Sequence, residues 1–140
     1  MVLASNPESK PLKLVVTGEA ESWLPALGQI VGPRYLHARR VRSDHELLEV
    51  VRTGSVDAAV LDDESAWDID VLRLLRMVRR LDKGLPVVVV TSHTDRLWLE
   101  NALQLAAYSV VVKPLELEEL IRQVHGIMDR LNKMLRQREF

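Results

Sequence analysis

The sequence predicts an α/β fold: a doubly wound sheet of five parallel strands with helices on both faces. Two observations carry this. Five short apolar runs alternate with five helix-patterned segments along the 140 residues, which is how βα units read. The third and fourth runs are also apolar throughout rather than alternating, as strands buried on both faces must be. Right-handed crossovers then follow from the parallel arrangement. No internal repeat interrupts the pattern.

Each element has a local reason. Residues 1–11 hold two prolines and two serines and read as a frayed lead-in. The first strand, 12–17, runs into Gly18. A helix is expected over 19–30, with Trp23, Leu24, Leu27 and Ile30 at helical spacing and Pro25 tolerable only in a first turn. Residues 35–41 form a short second strand whose Arg39, Arg40 and Arg42 suit a sheet edge. Ser43 and Glu46 have capping-box spacing and open a second helix that ends at Gly54. The third strand stops at Asp62, Asp63 and Glu64. The third helix, 69–81, buries Leu72, Leu75 and Val78 and turns Arg73, Arg76 and Arg80 outward, a solvated face before it is a docking one. Residues 86–91 are a β-branched fourth strand. A fourth helix over 93–107 is expected to rest on Leu97, Leu99, Leu103 and Leu105, capped by Ser92 or Thr94. The fifth strand covers 109–112, and one long helix follows from 115 to about 138, acidic at its start and basic at its end.

Composition narrows the function classes. A net charge of −1 gives no global pull toward nucleic acid or an acidic membrane surface. Without cysteine there are no disulfides, thiolate metal sites or thiol nucleophiles. Neither a secretory leader nor an apolar run of membrane-spanning length is expected, which suggests a cytoplasmic protein. The four histidines are scattered and have no metal-ligand spacing.

The carboxyl ends of strands one, three, four and five meet at the switch point of such a sheet, where ligands bind. They bring together Thr17, Gly18 and Glu19; Asp62, Asp63 and Glu64; Thr91 and Ser92; and Lys113 with Pro114. A carboxylate, a hydroxyl and an ammonium converging there suit phosphoryl transfer, the carboxylate as nucleophile and the others binding phosphoryl oxygens.

Residues 57–62 (DAAVLD), 86–92 (PVVVVTS) and 111–114 (VVKP), in this order within the five-fold βα pattern, make residues 12–123 resemble a receiver domain of a two-component response regulator. The resemblance implies a flavodoxin-like sheet in the order 2-1-3-4-5. It implies Asp62 as phosphoacceptor, Thr91 as switch hydroxyl, Lys113 as phosphate-pairing lysine and a cis peptide before Pro114. The family's acidic pair, which holds magnesium, falls on Thr17 and Gly18. Asp62, with Glu64 and Glu19, is left as the candidate ligand set of a weakly held Mg²⁺. The aromatic that partners the switch hydroxyl falls on Val110, with Tyr108 two residues upstream, and the loop after strand three lacks the family's proline, Ala66 and Ile69-Asp70 standing there. The chain reads as an atypical receiver.

In the last helix Leu117, Leu120, Val124, Ile127, Leu131 and Met134 fall on an a/d seam, widened by Ile121, Met128 and Leu135. The domains expected are a lead-in at 1–11, a receiver at 12–125 and an overhanging helix end at 126–140 that makes a homodimer. Two functions are open. In the first, a histidine kinase or phosphotransfer protein phosphorylates Asp62, and the domain signals by changing protein partners, with no catalysis beyond self-phosphorylation and dephosphorylation at Asp62. In the second, a pseudo-receiver dimerises or docks independently of phosphorylation. No helix-turn-helix follows residue 113 and the last helix is charge-balanced, so direct nucleic-acid binding is not expected, nor is a membrane role.

Overall fold

The computed structural model describes residues 10–65 and 67–138, side chains at 107 and 135–138 excepted. Five strands form one parallel sheet in the order β2-β1-β3-β4-β5. They are β1 (Leu12–Val16), β2 (Leu36–Arg40), β3 (Ala58–Asp62), β4 (Val87–Thr91) and β5 (Ala107–Val112). The helices are α1 (Leu24–Val31), α2 (Asp44–Arg52), α3 (Val71–Leu81), α4 (Arg96–Ala106) and α5 (Leu117–Arg138). The predicted fold class and strand order are those observed. The lead-in expected at 1–11 lies outside the described residues as far as residue 9, as do Ala66 and residues 139–140.

Strand alternation divides the core in two. Val15, Ala59, Leu61, Val87 and Val89 face α2, α3 and α4. Leu14, Val16, Ala58, Val60, Val88 and Val90 face α1 and α5. All five residues of both β3 and β4 are buried, which is why those two strands read as unbroken apolar runs.

Several boundaries differ from expectation, each for a local reason. The first helix is two pieces: a 3₁₀ turn over Gly18–Trp23, then α1, with Pro25 in its first turn. Proline cannot donate a backbone hydrogen bond, so the α-helical ladder starts beside it rather than running through it. Ile30 is exposed. Ser43 accepts from the Glu46 N–H at 3.1 Å, while Glu46 Oε2 reaches back to the Arg42 N–H at 2.9 Å, one residue before the cap. The fourth helix opens at Arg96, with Asp95 and not Ser92 or Thr94 accepting from the Trp98 N–H at 3.1 Å. Its inward face is Ala102 and Ala106; Leu97 and Leu103 are 65% and 50% exposed. Small residues let α4 lie close to the sheet, and Leu105 packs only partly buried against the same core.

β5 begins at Ala107 rather than 109, directly after α4, and a register irregularity opposite Val87/Val88 turns Tyr108 out of alternation. Tyr108 packs on the α5 face, where its hydroxyl lies 2.0 Å from the place a Cβ on Gly126 would occupy. The long last helix follows, with Leu120, Val124 and Ile127 fully buried in this domain's own core and Leu131 packed against it. That corrects the dimer seam. Much of it is intramolecular, while Leu131 is only partly buried and Met134 is 44% exposed.

Candidate functional site

Asp62 ends β3 and is only 5% exposed. Its carboxylate is fully engaged. Oδ1 accepts from the Glu64 N–H at 2.8 Å and pairs with Lys113 Nζ at 2.8 Å; Oδ2 accepts from the Glu19 N–H at 2.8 Å. A buried carboxylate needs such donors and a countercharge, since desolvation otherwise costs several kcal/mol. Lys113 reaches it because β5 lies one strand beyond β4: the Lys113 N–H donates to the Thr91 carbonyl at 2.8 Å, and the side chain then crosses the top of β4. The Lys113–Pro114 peptide is cis. Burial opposes the Lys113 charge, but the hydrogen bonds with Asp62 and Glu64 outweigh it and hold its pKa above 10.5.

The neighbouring acids have different partners. Asp63 is buried and accepts the Thr91 hydroxyl proton on Oδ2. Thr91 Oγ1 in turn accepts from the His93 N–H at 2.9 Å. The His93 ring stacks on Trp98, centroids 4.1 Å apart, and its Nε2 lies 3.7 Å from Asp63 Oδ2. Glu64 extends over the site, its oxygens accepting from Ser92 Oγ at 2.7 Å and Lys113 Nζ at 2.9 Å. The Lys113 hydrogen bond, then that of Ser92, holds the Glu64 pKa below its ordinary 4.5.

The strand-one corner is built for bracing. Thr17 Oγ1 accepts from the Asp62 N–H at 2.9 Å and lies 3.0 Å from Ser65 Oγ. Gly18 has φ +63°, and a Cβ there would sit 2.3 Å from Asp62 Cβ. Magnesium asks for several hard oxygens converging in an octahedron. Here Gly18 offers no side chain, the Thr17 hydroxyl is spent on the Asp62 backbone, and Oδ2 is covered by a backbone amide. Among the described residues, no group of three or more His, Cys, Asp or Glu is arranged to hold a metal. Glu19 contributes its N–H to Asp62, and Glu64 is held by Lys113 and Ser92. This donor set does not fit a magnesium ion as it stands.

The model of the response regulator receiver domain matches residues 19–125. The chain belongs to the response-regulator receiver family. This receiver is 32% identical over 87 residues to the probable transcriptional regulatory protein SilR of Salmonella typhimurium, an alignment covering 59% of this chain and 36% of SilR. The chain thus spans about a third of the length of that curated relative. Among solved structures, it resembles a CheY-like receiver domain protein from Methanospirillum hungatei (TM-score 0.72, 17% identity, 89% of this chain and 98% of that one). A putative response regulator from Chloroflexus aurantiacus gives a TM-score of 0.67 at 27% identity, covering 86% of this chain and 99% of that one. The receiver domain of the sensor kinase PA1611 from Pseudomonas aeruginosa, with magnesium in its cleft, matches with TM-score 0.68 at 16% identity over 85% of this chain and 98% of that one. Receiver domains are signalling domains of two-component systems rather than enzymes. Among the described residues, no helix is long and apolar enough to cross a membrane.

Of the residues singled out from sequence, Asp62, Thr91 and Lys113 do converge, but Thr91 turns to Asp63 and not to Asp62. The roles of Asp63, Ser65 and Ser92 were not legible, because each depends on which neighbouring strand end it meets. Tyr108 and Thr91 lie on opposite faces of the sheet, so this aromatic does not partner the switch hydroxyl.

Proposed function

We propose that this receiver signals through protein–protein contacts and that Asp62 is its phosphoacceptor, served by a histidine kinase or phosphotransfer protein in the cytoplasm. The reading rests on one observation: Lys113 Nζ stands 2.8 Å from Asp62 Oδ1 at the carboxyl edge of the sheet. In the transfer, a carboxylate oxygen of Asp62 attacks the phosphorus of a phosphohistidine. A P–O bond forms, the P–N bond breaks, and the imidazole leaves with the electron pair. Lys113 neutralises charge on the phosphoryl oxygens, where an ammonium matters most. Catalysis goes no further than phosphorylation and dephosphorylation at Asp62 itself.

We read the receiver as atypical, with magnesium bound weakly at best through Asp62, Glu64 or Glu19, because Thr17 and Gly18 replace the family's acidic pair. A second reading, a pseudo-receiver independent of phosphorylation, is favoured by the Glu19 N–H that covers Asp62 Oδ2. In either case a receiver over 12–125 carries the helix end beyond it, and we assign homodimerisation to that distal end, around Leu131 and Met134. Direct contact with nucleic acid or membrane is not part of either reading.

Incubation with acetyl phosphate and Mg²⁺, followed by intact-mass measurement, separates the two. Gain of one phosphoryl group by the wild type and not by Asp62→Asn supports the first. A wild type that gains none at any magnesium concentration leaves the second. Tryptophan fluorescence gives a parallel readout, since Trp98 stacks on His93 next to Thr91 and Trp67 follows the β3 loop.

A further inference from the structure

Two carboxylates of this site are held in ways that packing does not explain. Glu64 has a largely exposed side chain, which gains little from a lone surface ion pair. Yet it is held at three points: its N–H on Asp62, one oxygen on Ser92, the other on Lys113. Asp63 is the opposite case. It is buried, and its Oδ1 has no hydrogen-bond partner among the described residues. An unsatisfied buried carboxylate oxygen costs stability, and an apolar side chain would fill the same space without that cost. What Asp63 obtains is the proton of the Thr91 hydroxyl.

Of the protons on these donors, all but one ammonium proton are taken. The Thr91 hydroxyl has one proton, and Asp63 takes it. The Ser92 hydroxyl has one, and Glu64 takes it. Lys113 has three, of which Asp62 takes one and Glu64 another. These hydroxyls and this ammonium are side-chain donors at the carboxyl edge able to bind the oxygens of a phosphoryl on Asp62.

We propose that Asp63 and Glu64 act as an internal anionic stand-in for the phosphoryl group, occupying the Thr91, Ser92 and Lys113 donors in the resting domain. The proposal rests on reading Asp62 as the phosphoacceptor position. An incoming phosphoryl must displace both carboxylates and enter against their charge, so the engaged arrangement of Thr91 and Lys113 exists without it. Asp63 and Glu64 thereby set the resting state of the switch hydroxyl and the lysine.

The binding test needs no metal. Inorganic phosphate is titrated into the full chain and followed by the amide resonances of Ser92, His93 and Lys113. Glu64 is exposed, so Glu64→Ala folds. It is expected to bind phosphate about tenfold more tightly than the wild type, the worth of one released charge-assisted hydrogen bond. An Asp63→Asn/Glu64→Ala variant binds more tightly still, and adding Lys113→Ala abolishes the site. Phosphate binding equal in wild type and Glu64→Ala overturns the proposal, as does the absence of any site-confined shift in the variants. Acetyl phosphate labelling of the same proteins, with Mg²⁺ added, keeps the two ideas apart. Asp62 labelled with phosphate affinity unchanged leaves the phosphoacceptor reading and removes the stand-in. Phosphate affinity gained with Asp62 never labelled removes the phosphoacceptor reading and leaves the donor occupancy.

Discussion

Gly18 shows how much one residue decides at this site. Its φ of +63° lies in the left-handed region, and the space a side chain would take is filled by Asp62. Gly18→Ala is therefore expected to lower unfolding stability by about 1–3 kcal/mol, read from urea denaturation. A loss below about 0.5 kcal/mol would mean that Asp62 moves aside freely and is not held as described. Arg79 teaches a related lesson. The sequence pattern set Arg73, Arg76 and Arg80 on an outward face, and they are exposed. Arg79 next to them instead donates to the carbonyls of Leu105, Ala106, Asp82 and Leu85, tying the end of α4 to the turn after α3. Burial pushes its pKa down, and the four carbonyls serve in place of a paired carboxylate. No sequence spacing announces such a role, because the acceptors are backbone atoms from two separate segments.

Among the elements, α5 separates pattern from use. A heptad seam over its 22 residues is equally the pattern of a helix packed on a sheet. At 1.5 Å per residue the helix is about 33 Å long, against about 17–20 Å for a strand of this size, so its end must pass the sheet. Ile127→Ala is expected to cost about 2–5 kcal/mol of unfolding stability, the price of a cavity in the core. Met134→Glu is expected to leave monomer stability within about 0.5 kcal/mol, as an exposed position does. If the distal turns hold two chains together, Met134→Glu also shifts the sedimentation pattern from dimer to monomer. A wild type that sediments as a monomer at every concentration ends the dimer proposal. α4 makes the same point from the other side. Leucines at helical spacing looked like its core face, yet alanines are buried and Leu97 and Leu103 face outward.

For the molecule as a whole, charge placement sets the pH response. The backbone N–H of Arg42 holds the Glu46 pKa below 4.5, the Arg52 hydrogen bond does so for Glu49, and Lys113 does so for Glu64. A carboxylate depressed in the folded state stabilises above its unfolded pKa and loses that contribution as pH falls through the folded one. Lys113 is raised, so its contribution is present below 10.5 and is lost as pH rises through the higher folded value. The melting temperature is therefore expected to be level near neutrality, to fall below about pH 4.5 and to fall again in strong alkali. A thermal melt unchanged between about pH 6 and about pH 3 would contradict the ion pairs described.

From its sequence alone this protein had its sheet, and through the resemblance its strand order and family. Buried parallel strands must be apolar throughout and must end where polar groups begin, and both facts are local to the chain. Asp62, Thr91 and Lys113 were legible for that reason, each standing at a strand end. Only the tertiary structure decided which donor meets which acceptor. Thr91 belongs to Asp63, Glu64 bridges Ser92 and Lys113, the Glu19 amide covers Asp62, and the seam of α5 closes on its own domain. Those pairings turn on ångström-scale approaches between segments far apart in the chain, such as 28 residues for Thr91 and Asp63 and 43 for Glu19 and Asp62. Periodicity and spacing along the chain do not encode them.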